Sequence, residues 1–249
     1  MDLFLTFAFL FFVGSCLGWV LELFYRRYFY AKKWLNPGFL VGPYLPIYGF
    51  GLCLLFLLAS LDFSFITNKV LRTVLLILLM GVAMTAVEYI AGKIFVLGMH
   101  VKLWDYSDKW GNIQGIICPE FSLYWTLLGA IYYFLIHPTV TGAVSWLFSN
   151  LAFSFIIGFF FGVFFIDVAY SMQIMARIRA FAKENDLTVK LEELKKNIAE
   201  RMEHKKFLHF VFAFRGNRPL KESLREYREH LKEYTDKLVK KAKDRLDKK

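Results

Sequence analysis

Five runs of mostly apolar residues follow one another along the first 173 positions, at about 3–25, 44–61, 70–92, 121–137 and 144–173. A bilayer core takes roughly 17–25 such residues per helix, so the pattern predicts five transmembrane helices. Beyond Gln173 the pattern changes. Leu187, Leu191, Leu194, Ile198 and Met202 recur along one helical face. Gly216, Asn217 and Pro219 interrupt it, and Leu220, Leu224, Tyr227, Leu231, Tyr234 and Leu238 then alternate at four and three, a heptad-like stripe. The fold class read from this is all-α: a polytopic transmembrane domain over 1–173 and a helical tail over 174–249, built as a hairpin or a coiled coil. Between the tail helices, the apolar stretch 207–214 is too short to span and is flanked by Lys205, Lys206, Arg215 and Arg218. It fits an interfacial anchor on anionic lipid, with a protein docking face as the alternative; nucleic-acid binding is the weakest reading of this mixed-charge tail.

Composition agrees with the pattern: 57% of the 249 residues are hydrophobic and 19% aromatic, an excess over ordinary soluble domains. Charge is uneven. Residues 1–173 hold 9 Lys/Arg and 8 Asp/Glu, whereas 174–249 hold 22 and 13, so nearly all of the net +10 lies in the tail. Arg26, Arg27, Lys32 and Lys33 follow the first run and Lys93, Lys102 and Lys109 the third, while only Lys69 and Arg72 follow the second and none lies in 137–142. Basic residues favour the cytoplasmic side, which places loops 26–43 and 93–120 and the C-terminus in the cytoplasm and the N-terminus outside. Asp2 replaces the usual basic start of a signal peptide, so the first run reads as a retained span. The three cysteines, Cys16, Cys53 and Cys118, and the five scattered histidines show no metal-ligand spacing, and no metal or cofactor is expected.

The two basic loops resemble each other. Asn36, Pro43 and Tyr48 match Asn112, Pro119 and Tyr124 at one offset of 76, Gly38 matches Gly115 one residue out, and each preceding run carries an acid, Glu22 or Glu88. The chain therefore reads as helix–loop–helix twice, as parallel repeats, plus a fifth helix, with both loops meeting at one cytoplasm-facing vestibule. Pro37, Gly38, Gly42, Pro43 and Pro46 exclude a regular helix there; such backbone at membrane depth lines a cavity or is buried in protein.

Glu22, Glu88 and Asp167 lie inside apolar runs, where a charge needs a partner, water or a proton. Glu22 has Arg26 four positions on, about 6 Å along a helix axis, and pairs with it or joins Glu88 and Asp167 in an acidic cluster rimmed by Arg26, Arg27 and Lys93. Such a cluster suits a cation, a proton relay or a polar lipid headgroup. Asp105, in Trp104-Asp105-Tyr106-Ser107, either caps a turn or touches substrate. Cys118 beside Pro119 lacks a histidine in its loop to activate it.

At these residues the chain resembles the bacterial membrane proteins described as putative ABC-transporter type IV. The pattern is Gly18-Trp19 with Glu22, Asn36-Pro37-Gly38-Phe39-Leu40, Gly42-Pro43 and Pro46-Ile47-Tyr48-Gly49. It continues with Glu88, Leu103-Trp104-Asp105-Tyr106-Ser107, Asn112, Gly115 and Cys118. It extends over roughly 10–180, with Pro37 where the pattern leads one to expect Arg, which removes one anion contact. The resemblance implies a membrane component of a transporter. No Gly-x4-Gly-Lys-Ser/Thr occurs, so a primary transporter needs a separate ATPase subunit, or another soluble protein, held through the C-terminal helices. Membrane lipids and a second copy of the chain are further expected partners. Two other functional classes fit the same residues: a membrane-embedded enzyme or lipid-handling protein using Glu22, Glu88 or Asp167 as acid or base, and a scaffold that recruits a soluble protein.

Overall fold

The computed structural model describes residues 2–30, 34–201, 224–229 and 233. Helix α1 (Leu3–Tyr25) starts on the side chain of Asp2, which accepts from the Phe4 and Leu5 N–H groups, and continues through a π-turn at Arg26–Tyr30. Residues 34–45 are non-helical and lead to α2 (Pro46–Ala59). Helix α3 (Lys69–Met99) is capped by Asn68 and ends where His100 turns left-handed at φ 55. A second loop carries β1 (Val101–Lys102) and leads to α4 (Pro119–Ile131), a π-turn (Tyr132–Ile136) and α5 (His137–Ser149). A 3-10 turn (Leu151–Phe153) opens α6 (Ser154–Glu184), followed by β2 (Val189–Lys190) and α7 (Leu191–Arg201).

Among the described residues, four helical stretches are long and apolar enough to cross a membrane: Leu3–Phe29, Lys69–Met99, Pro119–Ser149 and Leu151–Glu184. The expected second span is shorter than its apolar run. Leu45 is extended and Ser60 ends the helix, which leaves 14 residues, or about 21 Å of rise against a hydrocarbon core of about 30 Å. Large apolar side chains stay exposed along α3 and α6, among them Val82 at 68%, Phe155 at 78% and Ile166 at 73%. Apolar faces of that extent suit lipid.

Three boundaries differ from the hydropathy reading. The third span continues seven residues past Gly92 to Met99, because residues 94–97 are apolar and nothing there breaks a helix. The turn expected at 137–142 is helical. Pro138 sits in the first turn of α5, and the π-turn before it relieves the clash of its ring with the carbonyl four residues back. The chain reverses instead at Asn150, whose amide N–H donates to the Trp146 carbonyl at 2.9 Å. Finally, α6 runs unbroken across 173–174.

Helices α1 and α2 pack with backbone close to backbone. A Cβ on Gly49 would lie 2.3 Å from Ser15 Oγ, and one on Gly18 would lie 2.2 Å from Tyr48 Cβ. In the tail, Leu191, Leu194 and Ile198 of the expected stripe are buried, with Leu187 packed beside them as part of the loop before β2. They meet Val101, Met175, Ile178, Leu224 and Tyr227. Met202, Leu220, Leu231, Tyr234 and Leu238, together with the anchor 207–214 and with Lys32 and Lys33, lie outside the described residues.

Candidate functional site

The first loop is fixed by its own polar residues and by α6. Gly38 takes φ +71, a left-handed turn that suits glycine. The Asn36 amide N–H donates to the Leu40 and Val41 carbonyls at 3.1 and 2.9 Å, and its oxygen accepts from the Trp19 indole N–H at 2.7 Å. Asp167 accepts from the Val41 and Gly42 N–H groups at 3.2 and 2.8 Å, from the Tyr44 hydroxyl at 2.7 Å and from Ser171 Oγ at 2.9 Å. Pro43 lies in the tight turn where the Tyr44 N–H donates to the Gly42 carbonyl at 3.0 Å, and Pro46 starts α2, where a missing N–H is harmless.

The second loop is built likewise. Gly115 takes φ +68, and its N–H donates to Asn112 Oδ1 at 3.0 Å, while the Asn112 amide donates to the Ser107 and Lys109 carbonyls. Pro119 starts α4, and Cys118 before it is buried. Asp105 accepts from Lys102 Nζ and Lys190 Nζ, both at 2.9 Å, and from the Ser107 N–H and hydroxyl. Burial opposes its charge, but the Ser107, Lys102 and Lys190 donors outweigh burial and hold the carboxyl down at about 2.

Between the loops runs a line of polar and aromatic side chains. Arg26 Nε donates to Glu22 Oε1 at 2.9 Å, and its guanidinium also meets Glu192 of α7. The Tyr48 hydroxyl donates to Glu22 Oε2 at 2.8 Å, and the Tyr48 ring lies 5.9 Å from the Trp125 ring. The Trp125 indole N–H donates to Glu88 Oε2 at 2.9 Å, and the Tyr106 hydroxyl to Glu88 Oε1 at 3.1 Å. Glu88 is only 3% exposed. Residues of α1, α2, α3, α4 and the second loop thus meet in one connected line.

The structure brings Glu22, Arg26, Tyr48 and Glu88 together. Asp167, Asn36, Asp105 and Asn112 instead hold loop backbone or neighbouring lysines. Tyr124, the match of Tyr48 at offset 76, bonds Glu120 at 3.3 Å rather than Glu88, and Trp125 beside it reaches the acid. Sequence reasoning missed Trp125, Glu192 and Lys195. The ammonium of Lys195 donates to the Asn36 and Gly38 carbonyls at 2.9 and 2.6 Å. Its signal was spacing, for Lys195 stands four residues after Leu191 and three before Ile198, on the buried stripe.

The family described as putative ABC-transporter type IV matches residues 9–172. That match covers well over half of the sequence, and the chain belongs to this family. No curated protein and no solved structure matches.

Proposed function

We propose that this member of the putative ABC-transporter type IV family is the integral membrane component of a transport system that works with a separate ATPase subunit. Its vestibule is the line from Arg26 through Glu22, Tyr48, Trp125 and Glu88 to Tyr106. The observation that carries the reading is the placement of two acids from the membrane-spanning helices α1 and α3, each bonded by an aromatic side chain of the helix that follows it, Tyr48 or Trp125. Carboxylates at membrane depth mark pathways for ions, protons or polar solutes. Asp167 of α6 instead has its oxygens engaged by loop donors and Ser171.

In this reading α1–loop–α2 and α3–loop–α4 are parallel repeats. Helix α2 completes a fifth crossing with its flanking residues, and both loops and the tail face the cytoplasm, as the Lys/Arg distribution favours. Glycines at φ +71 and +68 in the two loops, and prolines in the first turns of α2 and α4, support the repeat. The basic tail beyond α6 is the dock for the ATPase.

Inside-out membrane vesicles fed an isotope-labelled extract of the source cells, with mass spectrometry of what accumulates, test this. The reading expects a labelled solute to accumulate only with ATP. Glu22→Gln combined with Glu88→Gln should lower that accumulation by about tenfold or more, since the membrane acids lie on the path, with the melting temperature retained. Undiminished accumulation in the folded double variant contradicts the vestibule.

A further inference from the structure

One short segment of the tail touches both loops. Residues 189–190 form a parallel pair with β1, with Val101 opposite Val189 and Lys102 opposite Lys190, and the Val189 N–H donates to the His100 carbonyl at 3.0 Å. Lys190 Nζ adds an ion pair to Asp105 at 2.9 Å. That end is fastened to the second loop. Five residues on, Lys195 donates to the Asn36 and Gly38 carbonyls of the first loop, and Glu192 pairs with Arg26 at the end of α1.

The connection between these ends is short and stiff. Lys190 is followed directly by α7, so Leu191 to Lys195 is one helical turn, about 6 Å of rise. Val189, Leu191 and Leu194 are each no more than 1% exposed. The Lys190 N–H meets the Tyr227 hydroxyl at 3.3 Å, and that hydroxyl meets Glu193, which adds a second hold on the same turn. A segment packed in this way transmits displacement, because close-packed interiors deform little.

We propose that residues 189–195 form a rigid bridge that couples the two loops, so that a displacement of the tail moves both together and neither loop shifts alone. A partner bound to the tail thereby acts on both sides of the Glu22–Glu88 line at once. Internal bonds such as Asn36 to Val41 and Asn112 to Gly115 shape each loop, and the bridge sets the position of one relative to the other.

This inference rests on the proposed function only in taking the loops as the moving parts. Hydrogen–deuterium exchange on the full chain in lipid discs, with no partner or substrate added, reads the bridge directly. Lys195→Met removes the bonds to the Asn36 and Gly38 carbonyls of the first loop, and Asp105→Asn removes the Lys190 ion pair at the second. Coupling expects each change to speed exchange by about tenfold in the distant loop as well as the near one, as for a cooperative opening unit: Lys195→Met at 101–107, and Asp105→Asn at 39–42. Acceleration confined to the near loop in both variants overturns the bridge, whatever the chain transports. If Asp105→Asn also speeds exchange inside α1 and α3, which marks general unfolding, the decision passes to Lys195→Met and to Val189→Pro, which deletes the donor to His100. A distant response in these supports the bridge, and its absence refutes it. An absent ATPase or an unmoved solute would count against the proposed function and leave this result standing.

Discussion

Lys195 is 8% exposed, with its ammonium against two backbone carbonyls and the Arg26 guanidinium nearby. Burial first, and then Arg26, push its pKa down to about 7, against the opposing pull of Glu192. An unfolded lysine titrates at about 10.4. Between those values the unfolded chain keeps a proton that the folded chain has shed, so stability rises with pH across the window; below about 7 the ammonium is buried at full cost. The expected outcome is a melting temperature that climbs between about pH 6.5 and about pH 9 in the wild type, and a flatter profile in Lys195→Met over the same range. Superimposable profiles would contradict this. Little of Lys195's role is legible beforehand, because a lysine on an apolar stripe reads as a side chain reaching to solvent. Glu22 and Glu88 stand out from their oily surroundings, but Trp125 does not, since an aromatic in a membrane helix needs no polar explanation.

Helices longer than the bilayer core are the most legible elements, because 18 or more apolar residues leave few other structures. Their ends are less so. Pro138 reads as a turn, yet a π-turn absorbs it and the reversal moves to Asn150. The two-residue strands β1 and β2 are too short to show any period, so the return of the tail onto the second loop emerges only from the fold. Glycine spacing carries more than the hydropathy pattern alone discloses. Alanine at Gly49 would bring Cβ to 2.3 Å from Ser15 Oγ and 2.7 Å from the Phe11 carbonyl, so α1 and α2 must separate. Gly49→Ala is therefore expected to lower stability in lipid discs by about 1–3 kcal/mol, the usual cost of overpacking. Gly142→Ala, with no atom within 4 Å of its added Cβ, serves as the control and should melt as the wild type does. Equal melting of the two variants would refute close α1–α2 packing.

At the scale of the whole molecule, a membrane body of nearly balanced charge carries a tail with most of the net +10. The tail is not an appendage, for α6 passes directly from the membrane body into it, and β2 and α7 return to both loops. The Arg26–Glu192 pair joins the polar line between α1 and α3 to the tail segment 189–195, a link that the proposed coupling to a soluble subunit requires. The central claim is that this chain works with a separate ATPase. Mass spectrometry of everything that co-purifies with the full chain in native lipid discs tests it most directly. The account predicts a soluble ATPase in stoichiometric amount; a chain that carries only a tightly held lipid, with no ATPase, would contradict it and point instead to a lipid-handling protein.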